Sequence, residues 1–134
     1  VRMKEEKFNL EYPLQTKSPN IIWELISTAP GLQKWIADEV MQDGDTLTFT
    51  WGQPWTDRDT KSSRILEKEK NRFIKMRWDY HEDEESYWEL RIQASEIPGN
   101  LVLLSTDYAE PDDIGDLKEL WASDLERLHQ VSGL

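Results

Sequence analysis

The sequence predicts an α+β domain: a curved antiparallel sheet of about seven strands wrapped around one long C-terminal helix, with two short helices after the first strand. Three observations predict it. Short runs of alternating apolar and polar residues recur along most of the chain, and a period of two belongs to half-buried strands. Tight-turn signals separate the runs from residue 39 onward, so those strands are antiparallel neighbours. Near the C-terminus the period changes. Ile114, Leu117, Leu120, Trp121, Leu125 and Leu128 recur at three- and four-residue steps, one stripe long enough to cover the shared apolar face of the sheet.

Each element can be justified in order. Phe8, Leu10, Tyr12 and Leu14 alternate with Asn9, Glu11, Pro13 and Gln15. Pro13 has no N–H to give a ladder, which places this strand at a free edge. Ser18-Pro19 reads as an N-cap followed by proline at the first helical position, with Ile21, Ile22, Leu25 and Ile26 at helical spacing. A second short helix is expected near Pro30, carrying Leu32, Trp35 and Ile36. Asp43-Gly44-Asp45 then marks a hairpin between Glu39–Gln42 and the alternating Leu47, Phe49 and Trp51. Gly52–Asp57 is a loop by its breakers. A strand of about nine residues, 60–68, follows it, and Lys70-Asn71 turns the chain. Ile74, Met76, Trp78 and Tyr80 form the next apolar face. The acidic tip 81–85 leads to a strand with Trp88, Leu90, Ile92 and Ala94. After Pro98-Gly99-Asn100, Leu101–Tyr108 is the most continuously apolar strand, expected to be central or covered on both faces. Pro111-Asp112-Asp113 opens the final helix with acids that suit its dipole, and Gly133 ends it.

Composition bounds the function. A chain of 134 residues fits one domain spanning 1–134. Only 37% of residues are apolar, yet seven are Trp, so the core is built from a few large rings. The net charge is −11, from 27 acids and 16 bases. Such a field opposes nucleic acid and anionic membranes. The basic residues between Arg58 and Arg77 are interleaved with acids and read as one exposed mixed-charge face. The absence of Cys excludes disulfides, thiolate metal sites and Cys nucleophiles. Two His make a transition-metal site improbable, and neither acidic cluster, 82–85 or 112–116, has calcium-loop spacing. No cofactor is expected. The charged N-terminus is no signal peptide and no run is long and apolar enough to span a bilayer, so the cytoplasm is the expected compartment. Monomer and homodimer both stay open.

Ser18-Pro19 after an alternating strand, the segment Pro30-Gly31-Leu32-Gln33-Lys34-Trp35-Ile36-Ala37-Asp38, and a C-terminal helix with Trp121, Leu125 and Leu128 occur here in one order. In that order the chain resembles the START-like, or helix-grip, superfamily from about Lys7 to Val131, and within it the branch of the activator of the heat-shock-protein-90 ATPase. The resemblance implies a cavity between the concave sheet face and the terminal helix. Strand and helix alternation sets Phe49, Trp51, Met76, Trp78, Tyr80, Trp88, Leu90, Leu104, Tyr108, Leu117 and Trp121 facing inward, where they either line that space or fill it. Trp55, on the glycine–proline loop, is a candidate lid or a pin holding the loop to the body.

Three functions compete. The first is a binding domain enclosing a small apolar or amphipathic molecule among these rings. The second is a co-chaperone-like or other protein-interaction domain, with a protein partner. The third is an enzyme of cyclase or hydrolase type, for which Tyr80, Tyr108 and Asp107 are the candidates. The sequence leans against catalysis. Ser62 and Ser63 show no base, His81 is expected on a solvent-facing turn, and His129 sits at a helix end where a cation is favourable.

Overall fold

The computed structural model describes residues 4–81, 84–97 and 99–134. Residues 1–3, Glu82 and Asp83 of the acidic tip, and Pro98 of the last turn signal lie outside the described residues. The elements follow in the order β1 (Glu6–Pro13), α1 (Pro19–Ser27), α2 (Ala29–Gln33), β2 (Glu39–Asp43), β3 (Thr46–Trp51), β4 (Asp59–Glu69), β5 (Phe73–Trp78), β6 (Trp88–Ala94), β7 (Leu101–Ala109) and α3 (Ile114–Ser132), the last preceded by a 3₁₀ turn at Pro111–Asp113. One antiparallel sheet runs β1-β7-β6-β5-β4-β3-β2. This is the α+β helix-grip architecture that the alternation and the terminal stripe predict.

Local chemistry sets the turns. Ser18 holds the extended N-cap backbone before Pro19 but makes no side-chain cap bond. Thr28 does cap α2, where the Gly31 N–H donates to its Oγ1 at 3.0 Å. Gly31 has no alternative at this corner, because a Cβ there would lie 2.0 Å from the Glu24 carbonyl oxygen. At the far end of the chain Gly133 takes a left-handed φ of 76°, and its N–H donates to the His129 carbonyl at 2.7 Å, closing the last turn of α3.

Strand order decides which faces matter. β1 and β2 are the edges, and Pro13 sits at the end of β1 opposite Val102. β7 lies next to that edge rather than at the centre, paired on both sides by β1 and β6. α3 packs across β1 and β7. The core beneath it is aromatic. Trp88 is fully buried and stacks on Trp78 with centroids 4.9 Å apart and planes 9° apart. Phe49 meets both rings edge-on at 5.1 and 5.9 Å, and Trp121 reaches Trp88 at 5.8 Å and Trp35 at 6.4 Å.

Each such ring removes roughly 150–250 Å² from water, a gross gain of about 4–6 kcal/mol at about 25 cal/mol/Å². Their polar edges are satisfied. The indole N–H of Trp88 donates to Ser63 Oγ at 2.8 Å, that of Trp35 to the Leu25 carbonyl at 2.8 Å, and that of Trp51 to the Ile36 carbonyl at 2.8 Å. Among the described residues no helix is long and apolar enough to cross a membrane.

Candidate functional site

The rings do not occupy the whole interior. A cavity of about 350 Å³ remains between the sheet and α3. Its apolar walls are Trp51 at the end of β3, Trp78 and Tyr80 at and beyond the end of β5, Ile36 after α2, and Leu117, Leu120 and Trp121 of α3. Its polar lining is Asp59 and Lys61 of β4, Asp107 of β7, and Ser123, Asp124 and Arg127 of α3. A more open hollow abuts it, sharing Lys61, Tyr80, Leu117 and Leu120, and is rimmed by the acids Glu5, Glu110, Asp113 and Asp116.

The inward set therefore divides. Trp51, Trp78, Tyr80, Leu117 and Trp121 line the space. Phe49, Met76, Trp88 and Leu90 are fully buried and belong to the solid core behind it. Leu104 and Tyr108 do not face inward. Leu103, Ser105, Asp107 and Ala109 are the buried, helix-side residues of β7. Tyr108 lies on the convex face, its ring 5.1 Å from Tyr87, which also carries Lys75 Nζ at 4.3 Å. The reason is composition. Leu101 to Leu104 are all apolar, so no contrast between the faces sets the phase, and a shift of one residue exchanges them.

Trp55 is 80% exposed and lines neither hollow. The loop it sits on is held by other groups. The Gly52 N–H donates to Asp38 Oδ2 at 2.7 Å, and Arg58 pairs with Glu39 at 3.1 Å.

Asp107 is the centre of the polar chemistry. It is 2% exposed. The Trp121 indole N–H donates to Oδ2 at 3.0 Å and the Tyr108 backbone N–H to Oδ1 at 2.8 Å. Burial nonetheless pushes its carboxyl up to about 7, with those two hydrogen bonds opposing and the charge of Glu5 assisting. Desolvation outweighs two good donors because, among the described residues, no cation offsets the charged form. Asp124 is likewise pushed up to about 7 by burial, against the pull of Arg127.

His81 corrects the expectation of a solvent-facing turn: its side chain is fully buried. The turn folds inward because the Trp78 N–H donates to Nδ1 at 3.3 Å. That bond leaves the proton of the neutral ring on Nε2. Among the described residues Nε2 has no hydrogen-bond partner, and it stands 3.9 Å from Asp107 Oδ1. Burial lowers the His81 pKa; the charge of Glu5 works against this and Arg77 with it. Tyr80 leaves 44% of its surface exposed, yet burial around its hydroxyl, then the charges of Asp107, Glu5 and Asp79, raise its pKa well above the usual phenol.

Ser63 is buried between the Trp88 indole and the Arg77 carbonyl, to which its hydroxyl donates at 3.1 Å; it serves the core. Among the described residues no group of three or more His, Asp and Glu is placed to hold a metal ion.

The lining acids and bases were legible but read otherwise. Asp59, Lys61, Ser63 and Ile65 share one face of β4 by alternation, so the burial of Ser63 and Ile65 sets Asp59 and Lys61 at the cavity's edge, where their side chains stay 69% and 42% exposed. Asp124 follows Leu117 and Trp121 by seven and three residues, on the buried stripe of α3.

The fold and its cavity define a helix-grip domain, with a sheet closed on a C-terminal helix and a hollow between them. The chain belongs to the START-like superfamily, whose domain matches residues 3–134. A Bacteroides fragilis protein, BfR322, solved in solution by NMR, is 40% identical, covers 96% of this chain and 92% of its own, and has a TM-score of 0.62. The Aha1 dimer of Colwellia psychrerythraea is 16% identical with TM-score 0.70, covering 92% of each chain. AHSA1 of Silicibacter pomeroyi is 16% identical with TM-score 0.69, covering 92% of this chain and 94% of its own. At that identity the last two show a shared fold, the one found in the branch that the sequence resembles. No curated protein matches the chain.

Proposed function

We propose that this domain binds a small amphipathic molecule in the cavity between the sheet and α3. One observation carries the reading: three indoles and a phenol, Trp51, Trp78, Trp121 and Tyr80, stand around a space of about 350 Å³ instead of closing it. Ligand pockets run to roughly 300–1,000 Å³, mostly apolar with a few convergent polar groups. This one lies at the small end, which favours one or two rings or a short chain over a sterol. Asp107, Asp124 and Lys61 supply the polar points.

Tryptophan fluorescence tests this directly, since three of the walls are indoles. Titration with short-chain fatty acids, flavonoids and sterols should give a saturable change with the small ligands and none with sterols. Leu117→Trp, which fills the space, should abolish it while the far-UV circular dichroism stays native. A wild-type protein silent to anionic, neutral and cationic small ligands alike refutes the reading.

A protein-interaction role, of the kind the Aha1-type resemblance suggests, is the second reading. It draws on Trp55, whose ring is 80% exposed on a loop tied down by hydrogen bonds. If it holds, Trp55→Ala weakens retention of a partner and leaves ligand titrations unchanged.

A further inference from the structure

We propose that the molecule held in this cavity is a cation: a small organic amine or quaternary ammonium, its apolar part against the indoles and its charged head shared between the Asp107 carboxylate and the ring faces. This rests on the binding reading above and adds the chemical class of the ligand.

The protein's own ammonium marks the place. Lys61 Nζ stands 5.7 Å from the centroid of Trp51 and 5.2 Å from that of Tyr80. Both rings line the cavity, so their negative faces already attract a cation at its wall. Lys61 is not committed to them, since it also approaches Asp59 at 3.9 Å, and its long stem lets the head swing aside.

Asp107 makes the stronger case. A buried carboxylate needs a counter-charge or loses its own. Its two donors among the described residues, Trp121 and Tyr108, are neutral and use one lone pair on each oxygen, so both oxygens keep acceptor capacity. His81 stands beside it at 3.9 Å, its Nε2 without a partner among the described residues, but burial disfavours its charged form. An anionic ligand would aggravate the shortfall and a neutral one would leave it. A cation removes it.

The remaining charges agree. Lys61 and Arg127 are answered within the lining by Asp59 and Asp124, leaving Asp107 in excess. Glu5, Asp113 and Asp116 rim the adjoining hollow, on a chain of net charge −11, which draws cations in and repels anions.

Three probes with one tail and different heads separate the possibilities: octyltrimethylammonium, octanol and octanoate, titrated by tryptophan fluorescence at low salt. At pH 8 the ammonium is expected to bind at least tenfold more tightly than octanoate, with octanol between. Asp107 titrates near 7 among Glu5, His81, Tyr80, Asp59, Lys61, Asp124 and Arg127. Lowering the pH to 6 protonates most of it, so the affinity for the ammonium should fall about tenfold while that for octanol holds. Asp107→Asn should bring the ammonium close to the octanol level and remove the larger part of its pH dependence, Asp124, which is also raised to about 7, carrying the rest. If that variant does not fold, the wild-type comparison at pH 6 and 8 still tests the preference for a cation, and Asp124→Asn, which should leave most of the pH dependence in place, assigns it to Asp107. Octanoate binding as tightly as the ammonium, or an ammonium affinity indifferent to pH, overturns this inference and leaves the binding reading standing. Silence from all three probes rejects both.

Discussion

Replacing Asp107 by Asn should flatten the pH dependence of stability by an amount that can be worked out beforehand. In the fold the carboxyl titrates near 7, against an ordinary 3.8. At pH 5 it is therefore protonated in the folded chain and mostly ionised in the unfolded one. Folding then takes up a proton, and the fold is stabilised as the pH falls. At pH 8 both states are ionised and that contribution is gone. The stability it adds is thus complete below 3.8 and lost as the pH rises through 7. Between pH 8 and pH 5 it amounts to about 2–3 kcal/mol.

Asp124, raised in the same direction, adds to this trend. His81, lowered by burial, works against it below its ordinary 6.5, because the fold resists its protonation. Neither is altered chemically by Asp107→Asn. The single carbonyl of Asn accepts from only one of Trp121 and Tyr108. That loss, about 1–3 kcal/mol, applies at every pH and cancels in the comparison. Urea denaturation followed by tryptophan fluorescence at pH 5, 6, 7 and 8 measures it. The wild type's gain on going from pH 8 to 5 should exceed the variant's by about 2–3 kcal/mol. Equal gains in the two proteins would mean that Asp107 is solvated, and would refute the account of its burial.

Other substitutions probe other parts of the structure. Gly31→Ala sets a methyl against the Glu24 carbonyl oxygen at 2.0 Å, and should cost about 3 kcal/mol or more in chemical denaturation; a cost below about 1 kcal/mol contradicts this corner. Trp88→Phe removes the N–H given to Ser63 and part of the stack on Trp78, an expected loss of about 2 kcal/mol in the same assay. Trp55→Ala should change the melting free energy by less than about 0.5 kcal/mol, since its ring is 80% exposed; a larger loss would show the loop pinned through that ring.

How legible the molecule was depended on contrast. Where apolar and polar residues alternate strictly, as at Leu47, Phe49 and Trp51 or at Met76 and Trp78, strand and face both follow from the sequence. The α3 stripe gave the helix, and Gly133 its end. β7 shows the limit. Its apolar run identifies a strand, but with Leu on successive positions the phase is undetermined, and Asp107, although a candidate by its chemistry, was left out of the inward set because that face was given to Leu104 and Tyr108. Lys61 and Asp59 read as solvated surface and do stay largely exposed, yet they also border the cavity because they share their face of β4 with the buried Ser63 and Ile65. His81 was lost for a different reason: its burial depends on a main-chain donor three residues back, which no residue pattern records. Whether rings line a space or fill it depends on angles between them, such as the 9° stack of Trp78 on Trp88, and these are set by the assembled sheet.

The pairing of β1 with β7 bears on how the chain reaches this state. Glu6 lies beside Ala109 and Tyr12 beside Leu103, about a hundred residues apart in sequence. The first strand of the domain is thus the last to find its place. β2 to β6 can zip up as successive hairpins while synthesis continues, but β1 has no neighbour until β7 has emerged, and α3 has no second support until β1 arrives. Closing so long a loop costs entropy before any contact rewards it. During that interval the apolar side of the growing meander stands open. A nascent chain stalled between residues 95 and 110 should therefore be the species most in need of a chaperone, and the docking of β1 and α3 on β7 the step that commits the domain to its fold.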